Sequence, residues 1–528
     1  MTNSLPTPCA ETSVRPSDGA GVCSKASARW VLAATILGSS LAFIDGTVVN
    51  IVLPALQQKL HATATDVQWV VEAYSLLLAG LLLVGGSLGD HYGRRRIFII
   101  GVALFALAST ACGLAANIAQ LIAARAVQGL GAALLVPGSL AIISSSFREE
   151  ERGRAIGTWS GFSAITAAIG PVLGGWLIEH FSWRAVFFIN LPLAAIVIAL
   201  SYWHVPESSA ETKEPLDWWG ALLAALGLGA LVYGLIESSR LGFRHPAVVS
   251  ALVAAALLLA LFGLRESRAK NPMLPFDLFR SPTFTGANLL TLFLYGALSG
   301  ALFFLPLNLI QVQRYSPAAA GAAILPLILI IFFLSRWSGG LVEKYGAKIP
   351  LIIGPLIAAC GFALFILPGI GGSYARTFLP AVLVLGVGMA ISVAPLTTAV
   401  MNSVAQSRAG IASGINNAVS RAAGLLAIAV FGIVMLQTFD RALQRNLAQQ
   451  NLPNEIKMSI AGQSARLAAI ELPQELNGAQ RAAATEAIDQ SFLRGFRLTM
   501  AIAAGLALAS SFSAGTLISG KTKPRASP

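Results

Sequence analysis

The sequence predicts an all-α integral membrane protein with 14 transmembrane helices in two pseudo-symmetric halves. The chain of 528 residues is 55% hydrophobic and only 11% charged, with a mean hydropathy of +0.72. A water-soluble core cannot enclose that much apolar surface. Fourteen apolar runs between residues 30 and 518 have about 20 residues each, the length that a bilayer-spanning helix requires.

A loop motif that occurs twice predicts how these helices are grouped. Residues 86–95 read Gly-Ser-Leu-Gly-Asp-His-Tyr-Gly-Arg-Arg, and residues 339–348 read Gly-Gly-Leu-Val-Glu-Lys-Tyr-Gly-Ala-Lys. The copies follow the second and tenth runs, and such internal repeats are typical of transporters. If each copy follows the second helix of its half, the seventh and eighth runs are an insert. The arrangement is then six plus two plus six.

Five segments follow from this grouping. They are a disordered tail (1–29), a six-helix bundle (30–203), two inserted helices with their flanking loops (204–283), a second six-helix bundle (284–518) and a second tail (519–528). The first tail is polar and rich in Ser, Thr and Pro, unlike a signal peptide. Residues 437–491 form one long loop, which we expect to be a surface hairpin without a direct role in transport. A direct role is the alternative.

The distribution of basic residues predicts the orientation. The short loops and tails on the side that holds both termini carry 21 Lys and Arg residues, and the opposite short loops carry 6. Because basic loops stay in the cytoplasm, both termini are expected there, in a multi-pass protein of the cell inner membrane. The same rule accounts for the net charge of +12, so nucleic acid is not an expected partner.

No pattern in the sequence predicts an enzyme or a metal site. The four Cys residues lack zinc-like spacing, the His residues fall in or near loops, and no P-loop or Gly-x-Ser-x-Gly pattern occurs. We therefore expect no catalytic residues, no metal and no bound cofactor. The absence of a nucleotide-binding pattern also argues against pumping driven by ATP.

Motifs on four predicted helices carry a family resemblance. Helix 1 reads Asp-Gly-Thr-Val-Val-Asn over 45–50, helix 2 reads Trp-Val-Val-Glu-Ala-Tyr over 69–74, helix 4 reads Arg-Ala-Val-Gln-Gly over 125–129, and helix 5 reads Gly-Pro-Val-Leu-Gly-Gly over 170–175. With the loop at 86–95, these motifs resemble the fourteen-helix drug:proton antiporter branch of the major facilitator superfamily. The resemblance spans essentially residues 30–518.

This resemblance implies export of amphipathic or cationic compounds by alternating access, with the proton gradient as the energy source. The implied partners are a small-molecule substrate, protons and the lipid bilayer, and a periplasmic adaptor is a further candidate. Three alternatives stay open: an exporter of a specific metabolite such as an amino acid or a biosynthetic product, a proton-coupled importer, and a transport-dead membrane sensor.

Three charged residues inside apolar runs are the candidates for proton coupling: Asp45, Glu72 and Arg125. A charge at the centre of a bilayer costs roughly 2.5–3.5 kcal/mol on insertion scales, so each should face a cavity or a partner. If Arg125 moves, it can switch Asp45 or Glu72 between holding and releasing a proton. The alternatives are a permanent ion pair of Asp45 with Arg125 and a solvated Glu72.

Two motifs are candidates for gating. In the loop at 86–95 these residues are Gly86, Asp90, Gly93, Arg94 and Arg95, and in helix 5 they are Gly170, Pro171 and Gly174. We expect Asp90 to form a salt bridge with Arg148, Arg152 or Arg154 after helix 4, which would lock one conformation. Proline kinks a helix and glycine admits close helix contact, so the Gly-Pro motif predicts a flexible or sealing point. Topology signals and a plain kink are the alternatives.

Candidates for the substrate path are Asn50, Gln128, Asn416 and Arg421. Arg421 lies deep in helix 13, where it could bind an anionic substrate group, pair with carbonyl groups or extend toward the membrane surface. A helix–helix contact is the alternative for Asn416.

Overall fold

The computed structural model describes residues 25–209, 217–269, 272–404 and 408–519. These residues form helices and connecting loops, with no β-strand in the described ranges. The α-helices are α1 Lys25–Lys59, α2 Ala64–Tyr92, α3 Arg94–Leu114, α4 Ile118–Ser146, α5 Glu149–His180, α6 Ala185–Phe188, α7 Asn190–His204, α8 Trp218–Leu241, α9 Pro246–Arg268, α10 Pro282–Leu307, α11 Pro317–Tyr345, α12 Lys348–Leu364, α13 Tyr374–Thr377, α14 Leu379–Asn402, α15 Ala409–Gln449, α16 Asn454–Ala461 and α17 Gly478–Leu517.

Within the described part of the chain, 12 helices are long and apolar enough to cross a membrane. A further candidate, α2, is bent by 51° between Ala64–Leu82 and Val84–Tyr92. One shorter apolar helix, α12, has 17 residues. Local sequence explains several boundaries. Thr63 and Asp66 cap the start of α2 reciprocally, for example, and satisfy backbone N–H groups that have no partner within the helix.

The helices pack into two bundles with an additional pair beside them. Helices α1 to α7 form the first bundle, α10 to α17 form the second, and α8 pairs with α9. Helix α8 also packs against α2 of the first bundle and α15 of the second. We call the surface that holds the start of α1 and the end of α17 the terminal face. The opposite surface, which holds loop 60–63 and residues 450–477, is the distal face.

The two bundles contact each other toward the distal face. Gln57 near the end of α1 accepts a hydrogen bond from Gln311 at 2.7 Å, and Gln68 of α2 donates to the carbonyl of Ile428 in α15 at 3.0 Å. Helices α5 and α11 also pack closely on this side. Toward the terminal face, by contrast, the polar side chain of Asn417 in α15 is exposed. The bundles are therefore closed together at the distal face.

The segment 437–491 differs from its prediction as a surface hairpin. Helix α15 continues to Gln449, α17 starts at Gly478, and only the residues between them connect the two helices. Within this connection Leu467 is 0% exposed and borders a small apolar space with residues of α2, α10 and α15. Because Leu467 lies inside the contact between the bundles, the expectation of a simple surface hairpin is wrong.

Two further contacts attach this connection to helix α1. Gln57 donates to the backbone carbonyl of Arg466 at 3.2 Å, and His61 pairs with Glu471 at 2.9 Å. Arg466 pairs with the same carboxylate at 3.1 Å. The hydrogen bond with His61 is the main cause of a lowered pKa at Glu471. The connection is thus attached to both bundles.

Candidate proton and substrate site

The carboxylate of Asp45 is the centre of a fully buried polar cluster in the first bundle. Asp45 is 0% exposed and Arg125 is 1% exposed. A guanidinium nitrogen of Arg125 donates to one carboxylate oxygen, and the Gln128 side-chain amide donates to the other at 2.9 Å. The predicted neighbours Asp45 and Arg125 are therefore in direct contact.

Arg125 is held from several directions at once. Its Nε donates to the carbonyl of Val70 at 3.0 Å, and Nη1 donates to Gln128 Oε1 at 2.8 Å. The guanidinium also lies over the ring of Tyr74, 4.3 Å from the ring centre, where a cation is stabilised by the π-electrons. Arg125 thus joins α4 to α1 and α2, and its planar donors fit this set of acceptors better than a Lys side chain would.

Three members of the cluster were not predicted from the sequence as site residues. Asn190 of α7 donates to Asp45 at 3.4 Å and to Ser109 of α3 at 3.0 Å, and Tyr74 donates to the Ala42 carbonyl at 3.3 Å. Amide and hydroxyl side chains are common in membrane helices, so the residue type alone does not identify these three as site residues. Gln128, predicted for the substrate path, lies here beside the carboxylate instead.

This arrangement couples a carboxyl group to an arginine. With Asp45 ionised, the pair is neutral and its hydrogen bonds are satisfied. Protonation of Asp45 would leave Arg125 as an uncompensated buried cation, which is strongly unfavourable. A change in the protonation of Asp45 therefore favours a rearrangement of Arg125 and of the helices that it joins.

The other two intramembrane candidates on α1 and α2 lie outside this cluster. Glu72 is 0% exposed, and neither of its carboxylate oxygens has a hydrogen-bond partner among the described residues. Asn50 is half-buried, and its carbonyl oxygen is sealed without a partner. Unsatisfied buried polar atoms are costly, so both side chains are candidates for new contacts in another conformation.

The candidates on α15 face a different part of the molecule. Asn416 donates to Thr291 at 2.7 Å and to Asn288 at 3.1 Å, so it joins α15 to α10. This is the helix–helix contact that was the alternative to a substrate contact. Arg421 lies one turn beyond Asn417 and is partly buried.

The loop at 86–95 forms a local ion pair rather than the predicted salt bridge across loops. Arg94 contacts Asp90 one helical turn away, with nitrogen–oxygen distances of 2.7 and 2.8 Å. The expected pairing of Asp90 with Arg148, Arg152 or Arg154 is wrong for this conformation. The reason is that Arg94 begins α3 directly below the end of α2, within reach of Asp90.

A residue that the sequence analysis missed organises the start of α3. The carboxylate of Glu207 accepts the backbone N–H groups of Arg95 and Arg96 at 3.0 and 3.2 Å. A carboxylate at a helix N-terminus is stabilised by the free N–H groups and by the helix dipole. Gly93 has a φ of +106°, and a side chain there would lie 2.7 Å from Glu207. At Gly86, by contrast, an added Cβ would meet only an ordinary contact with Pro137.

The Gly-Pro motif of α5 faces two neighbours. An added Cβ at Gly170 or Gly174 would collide with Thr47 or Val48 of α1, within the same bundle. Gly175 instead lies against the backbone of Pro317 in α11, and Gly321 of α11 lies against the Pro171 carbonyl. This reciprocal contact is part of the closure between the bundles at the distal face.

A profile described as Major Facilitator Superfamily matches residues 35–428. The chain belongs to the major facilitator superfamily. It is 35% identical to "Multidrug resistance protein Stp" of Mycobacterium tuberculosis over 480 residues, which cover 89% of this chain and 88% of that protein. It is 32% identical to "Tetracenomycin C resistance and export protein" of Streptomyces glaucescens, over 90% and 89% of the two chains.

Solved structures of other transporters share this fold. A bacterial homolog of the human lysosomal transporter Spinster, inward-facing and unoccupied, matches with a TM-score of 0.66 at 20% identity, covering 95% of this chain and all of that one. A D-xylose-proton symporter matches with a TM-score of 0.59 at 14% identity, over 94% and 99% of the chains. The protein is a multi-pass membrane transporter.

Proposed function

We propose that this protein is a proton-coupled antiporter that exports amphipathic organic compounds from the cytoplasm by alternating access. The observation that carries the proposal is the Asp45 carboxylate, which is buried and shared by Arg125 and Gln128. The names of the relatives, a multidrug resistance protein and an antibiotic resistance and export protein, support the direction and the substrate class.

The proposal includes the topology that the sequence predicts. Twelve helices satisfy the length and hydropathy required for a span, and the bent helix α2 and the short helix α12 would bring the number to fourteen. The packing of α8 and α9 beside two bundles supports the arrangement of six plus two plus six. Basic residues favour a cytoplasmic terminal face. The structure then corresponds to an inward-facing state, closed on the periplasmic side.

In the proposed cycle, Asp45 takes a proton from the periplasmic side when the protein faces outward. Protonation releases Arg125 from its ion pair, and the cation becomes free to contact other acceptors. Deprotonation toward the cytoplasm re-forms the pair seen here. Because a buried arginine without a partner is unfavourable, the protonation state selects the conformation rather than merely accompanying it.

Cationic compounds are the less favoured part of the expected substrate range. A carboxylate that binds a cationic substrate must be accessible and unpaired, but of the described residues in the candidate set Asp45 is paired and Glu72 is fully buried. Amphipathic compounds are compatible with the large apolar surface of the bundles. Export of the specific metabolites considered above would use the same machinery.

The test is transport in energised, inside-out membrane vesicles, in which export appears as uptake of a fluorescent drug. Asp45→Asn should abolish uptake driven by a pH gradient while the protein remains inserted, because asparagine cannot release a proton. Asp440→Asn is a matched control, since the side chain of Asp440 forms a hydrogen bond with the neighbouring Gln444 of α15 and no ion pair with a described residue. Uptake by Asp45→Asn at the parental rate would refute proton coupling through this residue.

A further inference from the structure

Arg421 is an intramembrane candidate of the sequence analysis that the proposed proton cycle leaves unused. It lies in the first third of α15, a helix that qualifies as a membrane span. Its guanidinium forms no hydrogen bond or ion pair with any described residue. The residue is nevertheless only partly buried. Glu72, in contrast, is sealed.

The position of Arg421 is fixed by contacts between α15 and α2. These helices run in opposite directions and are joined by the bond from Gln68 to the carbonyl of Ile428. Tyr74 lies six residues after Gln68 in α2. Arg421 lies seven residues before Ile428 in α15. At 1.5 Å per residue, both lie about 9–10 Å below the closed distal contact. Arg421 therefore lies on the terminal-face side of the contact that closes the bundles.

A polar cavity lies beside α15 on the terminal-face side of Arg421, and residues that precede Arg421 in the chain line it. It has a volume of about 90 Å³. Its polar lining residues are Tyr295, Thr397, Ser413, Asn416, Asn417 and Ser420. Ser420 immediately precedes Arg421, and Asn417 lies one helical turn before it. Because a drug-sized ligand needs roughly 300–1,000 Å³, the cavity accommodates one functional group of a larger molecule.

The charge around this cavity identifies the kind of group. The nearest ion pair, Asp45 with Arg125, is already neutral, so it does not compensate Arg421. No Asp or Glu lines the cavity. An arginine presents planar donors that fit a carboxylate or another oxygen anion, and hydroxyl and amide groups complete such a site. A cationic group would meet a like charge without compensation.

We propose that Arg421 and the adjoining polar cavity bind the anionic group of an amphipathic substrate, such as a carboxylate or phenolate. This proposal rests on the proposed export function and narrows its substrate class. The apolar part of the substrate then extends into the space between the bundles. Arg421 determines specificity and takes no part in proton transfer.

The test compares two dyes that share a xanthene skeleton, the anionic fluorescein and the cationic rhodamine 123. Binding to the purified protein in nanodiscs of zwitterionic lipid is measured by fluorescence polarisation. The parent should bind fluorescein more tightly than rhodamine 123. Arg421→Gln should weaken fluorescein binding by about tenfold or more and rhodamine binding by less than about twofold, since a charge-assisted contact is lost only with the anion. Arg421→Lys should retain part of the affinity.

Arg497→Gln is the matched control, because Arg497 lies in α17 and donates to the Pro368 carbonyl away from this cavity. It should bind both dyes like the parent. Equal loss of fluorescein binding in both variants, or unchanged binding in Arg421→Gln, overturns the proposal. Displacement of fluorescein by added phosphatidylglycerol would identify a lipid headgroup as the ligand and also overturn it.

Transport separates this proposal from the one on which it rests. If vesicles accumulate rhodamine 123 but not fluorescein under a pH gradient, export stands and the assignment of an anionic substrate fails. If Asp45→Asn retains parental uptake while Arg421→Gln selectively loses fluorescein, the site stands and the proton mechanism fails. Uptake of neither dye by the parent overturns both.

Discussion

Replacing Gly175 by alanine should shift the protein away from the conformation described here. Gly175 of α5 lies against α11, and an added Cβ would be 2.6 Å from the Pro317 carbonyl carbon and 2.7 Å from Ala318 Cα. Ordinary van der Waals contacts at such positions are 3.4–4 Å. The obstacle is backbone rather than a flexible side chain, so the helices themselves must separate by about 1 Å.

The expected size follows from the cost of overpacking. Inserting a methyl group into a close contact typically costs about 1–3 kcal/mol, which corresponds to a shift of about 5- to 150-fold in a conformational equilibrium. The contact between α5 and α11 joins the two bundles, so this cost applies to the state closed at the distal face. In the opposite state the bundles are separated there, and the methyl group is accommodated.

Spin labels at Phe181 and Ser373 report this shift. Both positions are exposed near the distal face, one on each bundle. Double electron–electron resonance should show a longer distance in Gly175→Ala than in the parent. Gly174→Ala is the control, because a Cβ there collides with Val48 of the same bundle and should lower stability without separating the bundles. Equal distance distributions in Gly175→Ala and the parent would refute the sealing role of this contact.

Three further predictions concern the loops. Gly93→Ala should lower the thermal unfolding midpoint by the equivalent of about 1–2 kcal/mol, because a left-handed φ and the carboxylate of Glu207 both oppose a side chain; an unchanged midpoint would contradict this. Leu467→Ala should destabilise the state closed at the distal face by about 2–5 kcal/mol, because it leaves a cavity at a fully buried position. Cysteines introduced at the distal face should then react faster with a thiol reagent, and an unchanged rate would exclude a sealing role for Leu467. The interaction of Glu471 with His61 should weaken as pH falls through the lowered carboxyl pKa, because the stabilisation from a depressed pKa is present at higher pH and is lost below it. Carbon-13 NMR of Glu471 measures the titration, and a midpoint at or above the ordinary value of 4.5 would contradict the prediction.

The sequence predicted the central pair of the site because charges in apolar runs are rare and need partners. Asp45 and Arg125 are in contact, as that reasoning requires. Asn190 escaped prediction because an amide in a membrane helix is unremarkable by type and only the packing of α7 beside α1 brings it to the carboxylate. Asp90 was assigned the wrong partner for this conformation. Counting basic residues predicts on which side of the membrane a loop lies, but it does not predict which side chains meet there.

The other differences between prediction and structure depend on how each helix is oriented about its own axis. The sequence placed Gly170, Pro171 and Gly174 in one motif, but it could not show which residues face α1 and which face the other bundle. Only the structure shows that Gly175, which belongs to the same motif, faces the other bundle and that Gly321 is its counterpart there. The same limitation applies to Leu467, whose burial depends on helices far away in the chain.

The inserted helix α8 is attached differently to the two bundles. On the side of α2, Glu237 accepts a hydrogen bond from the indole of Trp69 at 3.0 Å. On the side of α15, the buried contacts of Val232 and Ile236 are with the apolar residues Leu425 and Ala429. Directional bonds resist sliding, whereas apolar contacts between helices tolerate it.

The inserted pair should therefore travel with the first bundle while α15 moves along its surface. The position of α8 also determines from which side a lipid-soluble compound can reach the contact between the bundles. Helix α8 covers the seam between α2 and α15, whereas the seam between α5 and α11 is bordered by exposed apolar side chains such as Ile169 and Phe333. Among the described helices, the seam along α5 and α11, on the terminal-face side of their close contact, is the lateral approach that the inserted pair leaves uncovered. The direction from which a compound dissolved in the membrane can enter is then set by an element outside both halves.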